Sequence, residues 1–284
     1  MIDAVATATA AADEADLERR FGGLQRLYGA AAYARLRAAR VAVVGLGGVG
    51  SWAAEALARC GVARLVLIDL DHVAESNVNR QVQALSRTLG QAKVQALRDR
   101  IGDIHPGCEV LAVEEFVAPD NWPTLLPAPV DVVLDACDQV RAKLAMAAWG
   151  LQAGVPVVCV GAAGGKRQPQ RVEVTDLAEV THDPLLASLR QRLRKESGAP
   201  RQGPMGVRCI FSRESVTRPA AVCGPDGSGG PEAVIDGSLN CHGYGSSVMV
   251  TATFGMVAAA HALEALLESA PATAPAPEAS KSEI

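Results

Sequence analysis

No CxxC pair occurs in this 284-residue chain, although it holds seven cysteines: Cys60, Cys108, Cys137, Cys159, Cys209, Cys223 and Cys241. An odd number without that spacing argues against a disulfide framework and against a four-thiolate zinc site, and it fits a reducing cytosol. The N-terminus has no charged segment followed by a long apolar core. It offers only the Ala-rich, acid-bearing stretch Met1 to Asp16, which reads as a frayed extension and not as a signal peptide. There is no internal repeat and no excess of positive charge. A net charge of −4 excludes a globally basic nucleic-acid binder, so any such surface must be local. What remains is an ordinary globular balance, 49% apolar and 20% charged residues, with ample material for a core.

Short β-branched runs alternate with Ala/Leu-rich stretches of helical length. Arg40 to Val44, Arg64 to Ile68, Glu109 to Val113, Val130 to Leu134 and Val155 to Val160 are expected strands. Gly48 to Cys60, Gln91 to Ile104 and Gln139 to Ala153 are expected helices. That alternation predicts an α/β fold with a Rossmann-like, doubly wound, mainly parallel sheet. After Gly165 the pattern changes. Arg171 to Val174 reads as a strand, Pro184 to Lys195 as a basic helix, Ser197 to Gly206 as a mobile Gly/Pro-rich segment, and Ser246 to Leu267 as a long apolar helix. The expected organisation is a flexible extension over residues 1–18 and one domain over 19–268. That domain has a nucleotide core at 38–165 and, at 166–268, a C-terminal sheet extension with a basic flap and an apolar C-terminal helix. A disordered Ala/Pro/Ser tail is expected over 269–284.

The first strand runs into Gly45-Leu46-Gly47-Gly48-Val49-Gly50, just before a helix. Here Gly45, Gly47, Gly48 and Gly50 allow a tight turn and close approach of phosphate oxygens to main-chain N–H groups, and the helix N-terminus adds partial positive charge. Asp69 ends the next strand, where a carboxylate accepts from ribose hydroxyls. This shows a nucleotide site and no more. The same pattern satisfies the dinucleotide fingerprint, and taken alone it favours an NAD-dependent oxidoreductase.

Residues further on point to ATP. Adenylation brings an anionic carboxylate to the α-phosphorus of an anionic nucleotide, so the site must supply several positive groups and usually a magnesium ion. Arg80 lies among amides in Ser76-Asn77-Val78-Asn79-Arg80-Gln81. Lys93 sits in the first turn of a helix, where a cation is unfavourable unless an anion lies there too. Each alone also fits a solvated surface charge; as a set close behind the glycine turn they fit triphosphate chemistry. Asp135-Ala-Cys-Asp138 falls at the carboxyl end of the fourth strand. Asp138 is the candidate ligand for Mg²⁺, with an N-cap on the following helix as the competing role.

GLGGVG, the Asp69 strand end, SNVNRQ, GQAKV and DACD, in that order, resemble the ThiF/MoeB and ubiquitin-activating superfamily. The resemblance implies that the glycine loop and Asp69 hold ATP, that Arg80 and Lys93 contact phosphates, and that Asp138 binds Mg²⁺. It further implies that Asn77 and Gln81 shape the same pocket. RFGGLQRLYG, VTDLAEVTHDPL, GVRCIFSRE and VTATFG narrow the likeness to the bacterial tRNA threonylcarbamoyladenosine dehydratase branch, from about Arg19 to Leu267. Superfamily members that activate sulfur carriers commonly bind zinc through CxxC pairs and use an acyl-accepting cysteine. This chain lacks the pairs, and Cys209 and Cys241 are expected to serve packing. In many relatives an N-terminal arginine reaches the partner subunit's γ-phosphate. Arg20 and Arg26 are candidates, although Gly23 stands at the aligned position.

Between Leu185 and Arg218 eight basic residues face only Glu196 and Glu214, a local net of +6. Such a patch is the footprint of a nucleic-acid ligand, with Arg190, Arg192, Arg194, Lys195 and Arg208 as tRNA-contact candidates; a solvated helix face is the competing reading. The resemblance implies a substrate tRNA bearing threonylcarbamoyladenosine, whose threonyl carboxylate becomes an acyl adenylate before the neighbouring carbamoyl group closes a ring with net loss of water. Gly243 to Leu263 carries no formal charge and is long enough to span a bilayer. Its Thr251, Thr253, Gly255 and His261 favour a buried helix or a dimer interface instead. The sequence therefore predicts a cytoplasmic, homodimeric, ATP- and Mg²⁺-dependent tRNA-modifying enzyme. Membrane association through the apolar helix is the alternative location. Adenylation of a ubiquitin-like sulfur-carrier protein, a sulfur-transfer partner, an NAD-dependent oxidoreductase and an ATP-holding scaffold remain as other readings.

Overall fold

The computed structural model describes residues 16–217 and 244–269. Expectations for residues 1–15, for Arg218, Cys223 and Cys241, for Gly243 and for the tail beyond residue 269 lie outside them. Seven strands form one sheet: β1 (Arg40–Val44), β2 (Arg64–Ile68), β3 (Glu109–Val113), β4 (Val132–Asp135), β5 (Val157–Val160), β6 (Val172–Asp176) and β7 (Arg208–Ser212). Their spatial order is β3-β2-β1-β4-β5-β7-β6. All pair in parallel except β6, which runs antiparallel to β7 at the edge.

The helices are α1 (Leu17–Tyr28), α2 (Ala30–Ala38), α3 (Gly50–Arg59), α4 (Lys93–Ile104), α5 (Val140–Ala153), α6 (Pro184–Glu196) and α7 (Val248–Glu268). Alternation along each strand sorts the core into two layers. Val41, Val43, Leu65 and Leu67 meet α3, α4 and α7, whereas Ala42, Val44, Val66 and Ile68 meet α5 and α6. Helices on both faces give the doubly wound architecture, and the order reverses between β1 and β4. Ligands of such sheets collect there, beyond the carboxyl ends of the strands.

Three elements differ from expectation. β7 lies outside the expected strands, because Arg208–Ser212 follows directly on a Gly/Pro-rich segment. α1 and α2 were not foreseen either; α1 dilutes a narrow apolar stripe with charge and two glycines. The boundary expected at residue 19 falls inside α1, which starts at Leu17 because the Asp16 carboxylate accepts from the N–H of Arg19. The segment over residues 197–206 is tied at its end, where Asp176 accepts from the N–H groups of Met205, Gly206 and Val207. α7 is long and apolar enough to cross a membrane, yet Val250, Phe254, Ala258, Ala262, Leu263 and Leu266 lie in the core. Its outward side leaves Met249 and Met256 exposed.

Candidate active site

A cavity of about 660 Å³ opens at the switch point between β1 and β4. Gly45, with φ of 83°, makes the turn out of β1, and a Cβ there would lie 2.8 Å from the Cys137 nitrogen. Gly50 starts α3 so close to the turn that a Cβ would meet the Gly45 oxygen at 1.8 Å. Gly47, by contrast, has open space where its side chain would be. The turn thus leaves its backbone accessible to a ligand beside Gly47 and Gly48, both of which line the cavity.

Arg80, Lys93 and Asp138 line this one cavity together with Asp69, Asn77 and Gln81, so the structure brings the core set together. Lys93 is the first residue of α4 and is buried. Its ammonium lies 2.6 Å from an oxygen of Asp71 and 3.9 Å from one of Asp69, so its unfavourable position on the helix dipole is offset within the chain. The Arg80 guanidinium donates to the carbonyl of Ser76 and to Oδ1 of Asn79 at 3.0 Å. Its main-chain oxygen accepts from Trp52 Nε1 at 2.9 Å. Asn77 Oδ1 accepts from the N–H of Ala74, which fixes the loop leading to Arg80.

Asp69, expected at a ribose, holds backbone of the site. Oδ2 accepts from the N–H of Leu46 at 2.6 Å and Oδ1 from that of Asp71 at 2.8 Å, so this carboxylate holds the glycine turn and the loop after β2 at once. Burial pushes the Asp69 carboxyl above its ordinary range, opposed by the Lys93 charge and these two donors. Asp138 makes no hydrogen bond or ion pair to the described residues. The N-cap position of α5 falls to Gln139, without a side-chain bond, so the capping role is not taken up.

Three residues beside the cavity carried little signal in the sequence. Lys143 of α5 is 0% exposed; its ammonium lies 3.1 Å from Oδ2 of Asp135 and donates to the Val160 carbonyl at 2.8 Å, clamping the ends of β4 and β5. The signal was a lysine sharing the stripe of Met146, Ala147 and Gly150. Phe116, 45% exposed just past β3, lines the cavity in a chain with 4% aromatics. Gln83, behind the glycine turn, had no signal. Cys209 is buried in β7, and burial raises its thiol well above the reactive range, in keeping with a packing role.

The five basic tRNA-contact candidates do not line the cavity. Arg190 donates to the carbonyls of Leu177 and Val180, Arg192 lies 3.7 Å from Glu196, and Arg194 donates to the carbonyls of Pro200 and Arg201. Lys195 is exposed near the end of α6. Arg208 sits at the amino end of β7, at the opposite end of the strands from the glycine turn, paired with Glu264 and Glu268. Arg20 donates to the carbonyls of Asp103 and Ile104 at the end of α4. A second cavity, of about 760 Å³, lies beside α3 and α4. Arg59 and Arg100, both paired with Glu55, belong to its wall, and no expected nucleotide residue does.

The model of the ThiF family matches residues 19–280. The tRNA threonylcarbamoyladenosine dehydratase of Escherichia coli (strain K12) is 43% identical over 258 residues, which cover 89% of this chain and 95% of that protein. The enzyme of the same name from Haemophilus influenzae is 37% identical, covering 88% and 94%. Among solved structures, E. coli tRNA N6-threonylcarbamoyladenosine dehydratase in complex with ATP superposes with a TM-score of 0.77 at 41% identity, over 89% of this chain and 96% of that one.

Proposed function

The chain belongs to the ThiF family, and on that premise we propose that it uses ATP to adenylate the threonyl carboxylate of N6-threonylcarbamoyladenosine in tRNA and then closes a ring with net loss of one water. The observation that carries this reading is the convergence of Arg80, Lys93 and Asp138 on one cavity against the glycine turn.

The carboxylate attacks the α-phosphorus and pyrophosphate leaves. Main-chain N–H groups of the turn and the N-terminus of α3 face the phosphates, Arg80 and Lys93 neutralise their charge, and Asp69 accepts from the ribose through its remaining lone pairs. Gln81 and Asn77 complete the phosphate side of the pocket. Among the described residues no group of three or more His, Cys, Asp or Glu could hold a metal. The single carboxylate of Asp138 would hold Mg²⁺ brought in with the nucleotide. Such an ion would supply charge neutralisation at the leaving phosphates. In the second step an atom of the carbamoyl group attacks the acyl carbon, AMP leaves and a five-membered ring closes. Because that attack is intramolecular, the effective molarity is high and no protein nucleophile is required.

A homodimer, a cytoplasmic location and tRNA contacts along α6 belong to the same proposal. Arg192, Arg194 and Lys195 would meet phosphates and Arg190, held within the fold, would add its charge, whereas Arg208 is offset by Glu264 and Glu268. Mass analysis of nucleosides from tRNA bearing threonylcarbamoyladenosine, after incubation with the protein and ATP, tests the reading. Loss of one water from that nucleoside is expected, and an unchanged mass rejects it. Pyrophosphate exchange that requires a sulfur-carrier protein in place of tRNA would favour carrier adenylation.

A further inference from the structure

Gln83 is 1% exposed and stands behind the glycine turn, outside the residues that line the nucleotide cavity. Its side-chain nitrogen lies 3.0 Å from the main-chain oxygen of Leu46 and 3.0 Å from a side-chain atom of Gln81. A carbonyl oxygen only accepts, so the Gln83 atom beside Leu46 must be its NH₂ group. That group carries two hydrogens. One goes to Leu46, and the second makes the Gln81 atom beside it an acceptor, Oε1. The NH₂ of Gln81 is then its other terminus, and it makes no hydrogen bond to the described residues although Gln81 lines the cavity. Oε1 of Gln83 is itself buried without a partner among the described residues, so towards them this side chain acts only as a double donor.

We propose that Gln83 is a positioning residue for the nucleotide: it braces the carbonyl of Leu46 and sets the polarity of Gln81, so that Gln81 presents a donor and not an acceptor to the triphosphate. The inference rests on the ATP reading of the cavity. It also explains how the turn is held on both sides, since the N–H of Leu46 goes to Asp69 and its carbonyl to Gln83. With the opposite polarity, the Gln81 oxygen would face phosphate oxygens and repel them.

The test compares binding of ATP and of adenosine to the full chain and to Gln83→Glu, Gln83→Leu, Gln81→Leu and the double variant Gln81→Leu/Gln83→Leu. Gln83→Glu keeps the shape and has at most one donor, the O–H of its protonated form. In Gln83→Glu and Gln83→Leu, ATP affinity is expected to fall about tenfold or more, as for a lost hydrogen bond to a charged group. The melting temperature should fall, because the buried Leu46 carbonyl loses its donor, but adenosine affinity should stay close to wild type in the folded protein, and the double variant should bind ATP no more weakly than the worse single one. Unchanged ATP affinity in both Gln83 variants overturns the inference. So does an equal loss for ATP and adenosine, or additive losses in the double variant, since either shows Gln83 acting on structure alone. Wild-type protein that binds no ATP overturns the nucleotide reading, and this inference with it.

Discussion

The N–H of Leu46 donates to Oδ2 of Asp69 at 2.6 Å, so the residue that follows β2 holds the glycine turn that follows β1. Two adjacent parallel strands therefore fix the backbone on which the phosphates would rest. Asp69→Ala is expected to weaken ATP binding about 10- to 100-fold, the range for losing hydrogen bonds to a charged group. Titration calorimetry checks this; affinity equal to wild type would show that the turn holds without Asp69.

Arg80 and Lys93 reach the cavity from different elements, the loop after β2 and the first turn of α4. Arg80→Ala and Lys93→Ala should each lower turnover at least about a hundredfold, the usual result of removing a charge-stabilising group. Release of AMP in steady state measures it. Near-normal rates in both variants would remove these roles.

Most of this site was legible because its parts repeat a chemical necessity along the chain. Glycines needed by the turn, a carboxylate at a strand end and cations near a helix start all stand beside strands with clear β-branched runs. Gln83 and Phe116 were not legible, and Lys143 only as a lysine on an apolar stripe. Their roles come from which atom faces which across the sheet, and linear spacing carries no such information. The basic stretch after Leu185 was legible as charge, but not as geometry. The distribution of its arginines between helix pairing and strand pairing depends on where α7 and the loop over residues 197–206 pack. β7 stayed hidden because its run joins directly onto the Gly/Pro-rich segment over residues 197–206, and Arg208 and Cys209 dilute its β-branched character.

Lys143 and Asp135 form a pair that is fully buried. Burial works against the Lys143 ammonium, but the Asp135 carboxylate outweighs it, and the lysine pKa stands above its ordinary value. Lys143→Met leaves Asp135 charged and unpaired in the core, at an expected cost of about 3–5 kcal/mol. Urea unfolding measures that loss, and replacing both residues with apolar ones should recover part of it. An unchanged unfolding midpoint in Lys143→Met would show that the pair contributes nothing.

His105 is buried against Phe21, and its Nε2 lies 2.9 Å from the Arg37 guanidinium. Burial first, and the Arg37 charge second, lower its pKa below the ordinary value. The unfolded chain therefore binds a proton more readily than the folded one, and stability should fall as pH drops through about 6.5. Unfolding midpoints between about pH 7 and pH 5 should decline more steeply in wild type than in His105→Gln. Parallel profiles would contradict the assignment.

A crystal structure of the protein with ATP and Mg²⁺ is the most direct test of the central claim. The expected result is a triphosphate lying along Gly47 and Gly48, with the Arg80 guanidinium and the Lys93 ammonium within hydrogen-bond reach of its oxygens and the Asp138 carboxylate on the metal. A nucleotide bound with all three side chains out of contact would contradict the account.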